Sequence, residues 1–163
     1  MKNYLLMIDS FKGCLTSEEA ETIVAETISA YDAEANIKAF PVSDGGEGML
    51  EAFTSALDAW RIEVKVHDAL MRPLRAEYGL STDGTAIIEM ARASGLTLIP
   101  PAERDVLSAT TYGTGELMVD ALRRGCRRFI IGLGGSATSD AGMGMLQAVM
   151  ESCGDNGQFF DLC

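Results

Sequence analysis

The sequence is poor in the residues that build metal centres and imidazole chemistry. Among its 163 residues there is one histidine, and the four cysteines show no CxxC or other metal-type spacing. We therefore expect separate, reduced thiols rather than a zinc site or a disulfide framework. The lone His67 stands beside Asp68, and an imidazole next to a carboxylate is more often structural than catalytic.

Long apolar runs and positive charge are also scarce. No apolar run approaches the ~20 residues that a bilayer-spanning helix needs, and the first residues lack the pattern of a secretory signal. These absences predict a cytoplasmic protein without a membrane partner. The 13 Lys and Arg residues against 24 Asp and Glu residues give a net charge of −11, which disfavours a nucleic-acid partner. A single nucleotide stays compatible with that charge, because local cations decide its binding.

The sequence does contain an alternation of strand, loop and helix. Apolar residues 4–8 predict a short buried strand, and Thr16 with Glu19 has the spacing of a capping box ahead of a helix. A strand over Ile37–Val42 and a helix from Met49 repeat the same order. This alternation predicts a parallel sheet with crossover helices, in which ligands gather at the carboxyl ends of the strands.

The pattern changes further along the chain. Arg61–Val66 alternates with period two, and Asp83-Gly84 separates two more strand candidates in the manner of a hairpin turn. These features predict antiparallel pairing and a change of architecture near residues 65–80. A helix over Glu116–Arg124 and a strand over Arg128–Gly132 follow.

Three polar or glycine-rich loops come directly after apolar runs: Asp9–Gly13, Asp44–Gly48 and Gly132–Asp140. The third combines backbone amides, hydroxyls and a carboxylate ahead of an apolar helix-like pattern, which suits a phosphate group and Mg²⁺. The acidic second loop suits metal or polyol binding, although a solubilising acidic turn has the same composition. We expect the three loops to share one cleft.

Two other motifs are weaker. Gly132 to Ala137 matches a loose G-x-G-x-x-A dinucleotide fingerprint, but the acidic end of a following strand is not evident. The chain has no Walker A loop and no G-x-S-x-G nucleophile elbow.

Five blocks of the sequence together resemble the bacterial glycerate kinase family, glycerate kinase type 1. The blocks are Asp9–Gly13, Asp44–Gly48, Ile88–Ala91 with Ala93–Leu96, Thr110–Leu117 and Gly134–Thr138. The resemblance implies ATP-dependent phosphorylation of D-glycerate to a phosphoglycerate, with Mg²⁺ carried by the nucleotide.

The resemblance also implies an α/β fold in which a flavodoxin-like parallel-sheet domain carries a second, inserted α/β domain. On this view residues 1–75 are the N-terminal part of the flavodoxin-like domain, and residues 76–163 begin the inserted domain. Family members are considerably longer, and the match fades after Val149. We therefore expect an incomplete, C-terminally truncated kinase with little or no turnover.

Residue chemistry assigns the phosphate-binding roles. Gly134, Gly135, Ser136 and Thr138 are expected to cradle phosphates, because glycine backbone and hydroxyl donors can approach phosphate oxygens. Lys12 is expected to offset the charge of the transferred group.

The acidic side chains are assigned to the substrate and the metal. Asp44 is expected to bind the glycerate hydroxyl or to act as its base. Asp9, Ser10 and Glu47 are expected to contact the substrate. Asp140 is the predicted metal ligand, with Glu47 as the other candidate.

Two alternatives remain open from the sequence. The first is a nucleotide-binding oxidoreductase that uses the loose fingerprint after Arg128–Gly132. The second is a non-catalytic fragment, whose unpaired sheet edge would favour self-association into a homo-oligomer.

Overall fold

The structure is a computed structural model and describes residues 1–11 and 13–153. These residues form both helices and strands, and two of the strand pairs are parallel, so the predicted α/β class is confirmed. The strands are β1 (Asn3–Leu6), β2 (Asn36–Ala39), β3 (Trp60–His67), β4 (Pro73–Leu80), β5 (Thr85–Glu89) and β6 (Arg128–Gly132). The helices are α1 (Ser17–Tyr31), α2 (Met49–Ala56), α3 (Ala91–Ser94), α4 (Tyr112–Arg123) and α5 (Met143–Cys153), with 3₁₀ turns at Leu96–Leu98 and Pro101–Glu103. Within the described ranges, no helix is both long and apolar enough to span a bilayer.

The first βαβ unit, β1–α1–β2, follows the predicted alternation. Its two strands pair in parallel, with Tyr4 opposite Ile37. Helix α1 begins with the predicted capping box, in which the Thr16 hydroxyl accepts from the Glu19 amide and the Glu19 carboxylate accepts from the Thr16 amide. Ala20 of α1 is buried, whereas Tyr31 at the end of the helix is exposed.

The remaining strands form a second sheet in the order β3-β4-β5-β6. The pairs β3–β4 and β4–β5 are antiparallel, and β5–β6 is parallel. Asp83 and Gly84 lie in the β4–β5 turn, where the Gly84 amide donates to the Ser81 carbonyl. The predicted hairpin is therefore confirmed.

Helices cover both faces of the four-stranded sheet. On one face, Ile88 and Tyr78 form a cluster with Leu117 of α4. On the other face, Ile87 packs with Met49 and Leu50 of α2. Strand β5 is buried along its whole length, as expected for a strand with a layer on each side. This burial positions the carboxyl ends of β5 and β6 beside the N-terminus of α2.

The change from parallel to antiparallel pairing begins at Trp60, where β3 starts. The domain boundary predicted between residues 75 and 76 lies inside β4, which pairs with β3 along its full length. The division into residues 1–75 and 76–163 stays a prediction, and residues 154–163 lie outside the described ranges.

Candidate functional site

Two of the three predicted loops are in direct backbone contact. We call Asp44–Gly48 the acidic loop and residues 133–138 the glycine loop. The Gly134 amide donates to the Gly45 carbonyl at 2.9 Å. A Cβ on Gly134 would lie 2.5 Å from the Gly46 Cα, so any larger residue at this position would collide with main chain. The glycines are therefore needed for the loops to meet.

The glycine loop is also bound to the segment that follows α3. The Leu96 amide donates to the Gly135 carbonyl, and the Ala137 amide donates to the Ser94 carbonyl, both at 2.9 Å. These bonds attach the loop to the Ala93–Leu96 block. The loop is thus fixed from two sides before any ligand arrives.

These contacts limit what the glycine loop can offer an anion. The Thr138 amide donates to the Ser136 hydroxyl at 3.0 Å, and the Gly134 amide is used by the acidic loop. Within the described residues, the Gly135 and Ser136 amides donate to no protein acceptor. Gly135 has a φ of 74°, a left-handed conformation that can turn consecutive amides towards one anion. The available cradle is therefore smaller than the one that the sequence predicts.

Asp140 lies beyond the glycine loop and joins α4 to α5. Its Oδ2 accepts from the Thr111 amide and hydroxyl, both at 2.8 Å, and from the Gly144 amide at 3.0 Å. Its Oδ1 accepts from the Gly142 amide at 3.1 Å. Burial opposes ionisation, but the hydrogen bonds from Thr111, Gly144 and Gly142 outweigh it and lower the pKa of Asp140.

The helix-like pattern after the glycine loop had suggested a helix whose N-terminus faces that loop. Helix α5 does not have this arrangement. It begins at Met143, and the first amides around it are capped by Asp140 and by the Thr111 hydroxyl, which accepts from Met145 at 2.9 Å. The metal-binding role of Asp140 stays a prediction, and in this structure its oxygens are already engaged by protein donors.

The loop after β1 lies against the first of two cavities. The Asp9 carboxylate accepts from the Ser10 amide at 2.7 Å. Ser10 lines a cavity of about 860 Å³, the first cavity, together with Glu47 and Gly48 of the acidic loop. Lys12, the predicted charge-neutralising residue, lies outside the described residues.

A second cavity of about 410 Å³ is also lined by a residue of the acidic loop, Glu47. Glu47 and Arg92 line both cavities, and Gly135 of the glycine loop lines the second. The structure therefore brings Ser10, Glu47 and Gly135 to neighbouring cavities around one point. Ser10 lines only the first cavity and Gly135 only the second, so a single cleft shared by all three loops stays a prediction.

Asp44 is exposed at the start of the acidic loop. Its Oδ1 accepts from the Gly46 amide at 2.9 Å, which fixes the carboxylate in a turn. In the part of the chain that the structure describes, Oδ2 has no protein donor. One oxygen therefore remains able to accept a proton or a hydrogen bond.

Sequence reasoning from residue chemistry missed a buried carboxylate at the end of β5. Glu89 is 1% exposed, and its Oε2 accepts from the Leu50 amide at 2.9 Å. Leu50 lies in the first turn of α2, so Glu89 provides the cap that Gly48 lacks. Glu89 also stands opposite Gly132 in the β5–β6 register. It thereby holds α2 and the acidic loop at the carboxyl end of the sheet.

Glu89 belongs to a charge cluster that also contains Arg92, Glu51, Arg61 and Glu77, whose Oε2 lies 3.5 Å from Arg61 Nη1. Arg92 Nε lies 3.4 Å from Glu89 Oε1, and Arg92 Nη2 donates to Glu51 Oε1. Arg61 Nη2 lies 3.4 Å from the same Glu51 oxygen. Burial raises the pKa of Glu89, against the lowering effects of the Leu50 hydrogen bond and the Arg92 charge. A charged residue that ends an apolar strand, as in residues 86–89, was the sequence signal for this cluster.

His67 lines neither cavity. Its Nδ1 lies 2.9 Å from Glu116 Oε1, and its backbone amide donates to Glu116 Oε2 at 2.7 Å. Both contacts connect the end of β3 to α4. This arrangement agrees with a structural role.

A family model and the sequences of two bacterial relatives match this chain, and all three are named as glycerate kinases. The sequence matches the glycerate kinase family over residues 4–158. It is 44% identical to a glycerate kinase of Haemophilus influenzae over 94% of this chain and 41% of that protein. It is 42% identical to glycerate 2-kinase of Escherichia coli over 91% of this chain and 40% of that protein.

A solved structure shows the same similarity in three dimensions. It comes from Salmonella typhimurium LT2, carries the name glycerate kinase 2, and matches with a TM-score of 0.74 at 42% identity. The match covers 90% of this chain and 40% of that one. The chain thus spans about two fifths of the length of these relatives.

Proposed function

This chain belongs to the glycerate kinase family, and we propose that it contributes one wall of a cleft in which D-glycerate is phosphorylated by ATP. The observation that supports the proposal is the backbone contact between the acidic loop and the glycine loop, with two cavities that Glu47 lines. Phosphoryl transfer asks a protein mainly to position its substrates and to balance charge. Rigid, glycine-containing loops beside cavities that Glu47 and Arg92 line suit that task.

The nucleotide phosphates are proposed to bind at the glycine loop. The amides of Gly135 and Ser136 are the donors proposed for this role. The hydroxyls of Ser136 and Thr138 share one hydrogen bond at 2.8 Å, so one of these two hydroxyls keeps its proton for a ligand. Gly134 has a different part in this proposal, because its amide holds the loop against Gly45. Gly134 supports the phosphate-binding site indirectly, because it has no side chain where the glycine loop comes closest to Gly46 of the acidic loop.

The glycerate is proposed to bind at the acidic loop. Asp44 would orient the reacting hydroxyl and accept its proton at Oδ2, the oxygen without a protein donor in the described ranges. Glu47 and Ser10 line the first cavity and would contact the rest of the molecule, with Asp9 holding the Ser10 backbone. Lys12 remains the proposed cation for the transferred group.

Mg²⁺ fits the acidic loop better than it fits Asp140. Mg²⁺ usually takes one or two protein carboxylates together with substrate phosphates and water. Glu47 is exposed and adjacent to both cavities, whereas both oxygens of Asp140 accept protein hydrogen bonds. Among the described residues, no group of three or more His, Cys, Asp or Glu side chains is placed to hold a metal alone. A bound Mg²⁺ would neutralise developing phosphate charge.

A binding experiment with the 163-residue chain tests the proposal. We expect MgATP to perturb the amide resonances of Gly135 and Ser136, and D-glycerate to perturb those of the acidic loop. Retention on a nicotinamide-dinucleotide resin but not on an ATP resin would favour the oxidoreductase alternative. Absence of binding to both ATP and D-glycerate would favour the non-catalytic alternative.

The role of Asp44 has a separate test. In a catalytically competent form of the protein, Asp44→Asn should lower kcat far more than it lowers nucleotide affinity, because the amide cannot accept the hydroxyl proton. Equal losses in kcat and nucleotide affinity would instead indicate a structural or metal-binding role.

A further inference from the structure

Arg92 is the cation that the two cavities share. It lies three residues after the end of β5, as the second residue of α3. The first cavity is lined by Arg61 and Arg92, and the second by Arg75 and Arg92. Because Glu47 also lines both, Arg92 lies at the point around which the predicted substrate-binding loops gather.

The guanidinium of Arg92 is held in place by the charge cluster. Glu51 accepts from Nη2, and Glu89 Oε1 lies 3.4 Å from Nε. The side chain of Arg92 is 33% exposed, against 44% for Arg61 and 64% for Arg75. Arg92 is therefore the most enclosed of the three arginines, and its position is set before a ligand binds.

The protein leaves part of the bonding capacity of Arg92 unused. Across residues 1–11 and 13–153, Arg92 Nε and Glu51 Oε2 are buried without a hydrogen-bond partner, and Nη1 donates to no protein acceptor. Buried donors and acceptors without partners carry a free-energy cost. An arginine with an unused Nη group beside a cavity can donate a charge-assisted hydrogen bond to an anionic oxygen.

We propose that Arg92 binds the carboxylate of a small hydroxy acid through Nη1, which places the hydroxyl of that acid towards the acidic loop. The inference rests on the proposed function, since D-glycerate has both a carboxylate and hydroxyl groups. It adds a substrate-binding residue that was not among the candidates drawn from the sequence.

Charge balance favours a carboxylate over a phosphate at this position. Arg61 and Arg92 face the carboxylates of Glu51, Glu77 and Glu89, so the cluster has no excess positive charge. A singly charged carboxylate meets less repulsion there than a doubly charged phosphate. Burial also raises the pKa of Glu89, which would ease proton uptake when an anion binds nearby.

Nuclear magnetic resonance of the 163-residue chain tests the inference without any substitution. The chain is titrated with D-glycerate and, as a matched ligand that lacks the carboxylate, with glycerol. We expect D-glycerate to shift the Nε–Hε signal of Arg92 and glycerol to leave it unchanged. Titrations with lactate and with inorganic phosphate then show whether a carboxylate or a phosphate shifts the Arg92 signal.

Substitutions then measure the contribution of the guanidinium. Loss of a charge-assisted hydrogen bond should weaken D-glycerate binding about 10- to 100-fold in Arg92→Gln. Arg92→Lys keeps the charge but loses the guanidinium contacts with Glu51 and Glu89 that fix its position, so it should weaken binding by a smaller factor. Arg75→Gln is the matched control, because it removes the same charge from an exposed residue of the second cavity and should change the Kd less than about twofold.

The outcomes separate this inference from the proposed function. If D-glycerate binds Arg92→Gln as tightly as the wild type, the inference is wrong and the proposed function stands. If lactate shifts the Arg92 signal while D-glycerate does not bind, the inference stands and the proposed substrate is wrong. If phosphate shifts the signal and no carboxylate does, or if Arg75→Gln weakens binding as much as Arg92→Gln, carboxylate recognition by Arg92 is refuted.

Discussion

The β1–α1–β2 unit and the four-stranded sheet are buried to very different degrees. In the first unit, Leu6 and Ala20 are the apolar residues in the buried class, and Leu5 on the sheet face away from α1 is 60% exposed. In the second, Ile88 and Leu117 are fully buried between the sheet and α4. Parallel strands are usually covered on both faces, and the β1–β2 pair is covered on one.

The difference shows which forces hold each region. The first unit depends on local features such as the capping box at Thr16 and on one helix laid over two strands. The four-stranded sheet depends on tertiary burial, since α2 and α4 cover its two faces. The first cavity lies between these regions, with α1 on one side and α2 on the other. The proposed cleft therefore joins a well-packed region to a sparsely packed one.

Truncating one leucine in each region should give the largest contrast. Leu117→Ala should lower the free energy of unfolding by about 3 kcal/mol, because it removes a fully buried side chain and leaves a cavity. Leu5→Ala should change it by less than about 0.5 kcal/mol, because the side chain is largely exposed. Urea denaturation followed by circular dichroism measures both. Similar losses in the two variants would show that the first unit is packed more tightly than described.

The contact between the glycine loop and the acidic loop should be the next most sensitive point. Gly134→Ala places a Cβ 2.5 Å from the Gly46 Cα and should cost about 2 kcal/mol of unfolding free energy. Gly125→Ala is the control, because Gly125 has a φ of 94° but open space around its Cβ position. Gly125→Ala should lower the unfolding free energy by less than Gly134→Ala does, because it adds backbone strain without a collision. Equal costs would mean that the loops separate easily.

The N-terminal cap of α1 should report on local stability. Thr16→Ala should cost α1 about 1 kcal/mol, because the Glu19 amide loses its acceptor. Hydrogen exchange should then accelerate in α1 and stay unchanged in α4, since local opening does not require the sheet to unfold. Thr16→Ser, which keeps the hydroxyl, is the control. Acceleration in both helices would show that the regions unfold as one unit.

Glu89 in the second region and Glu19 in the first should contribute to the pH dependence of stability with opposite signs. The pKa of Glu89 is raised from 4.5 by burial, so the folded state binds the extra proton, and the stability contribution of Glu89 falls as pH rises from 4.5 through the folded pKa. Glu89→Gln should therefore become more stable relative to the wild type over that range. Denaturation midpoints measured from pH 4 upwards give the slope.

Glu19 provides the comparison for the pH series. Hydrogen bonds from Thr16 lower the pKa of Glu19 from 4.5, so its contribution is present above pH 4.5 and is lost as pH falls through the folded pKa. Glu19→Gln should thus differ most from the wild type above pH 4.5 and least at lower pH. Slopes of the same sign for Glu89→Gln and Glu19→Gln would contradict the burial of Glu89.

Much of the fold could be predicted from local patterns. The capping box at Thr16, the Asp83-Gly84 turn and the strand Arg128–Gly132 all lie where the sequence predicts them. Each depends on residues close together in the chain, so nearby side chains are enough to specify it. The N-terminus of α5 could not be predicted in this way. Its cap involves both Asp140 and Thr111, which are hydrogen-bonded to each other and lie 29 positions apart in the chain.

The candidate site could be predicted only in part, for the same reason. The loops were found because glycines and acids follow apolar runs. The cluster around Glu89 was missed because its partners, Leu50 and Glu51, come from an earlier helix. No periodicity in the sequence connects the end of β5 with the start of α2.

The sequence by itself determined the alternation of elements, the loops at their ends and the family to which the chain belongs. Only the tertiary structure decided which loop amides remain available and which cation the cavities share. The physical reason is that hydrogen bonds such as Gly134 to Gly45 and ion pairs such as Arg92 to Glu51 join residues far apart in the chain. Their formation depends on how the sheet brings strand ends together, and local composition carries no record of that arrangement.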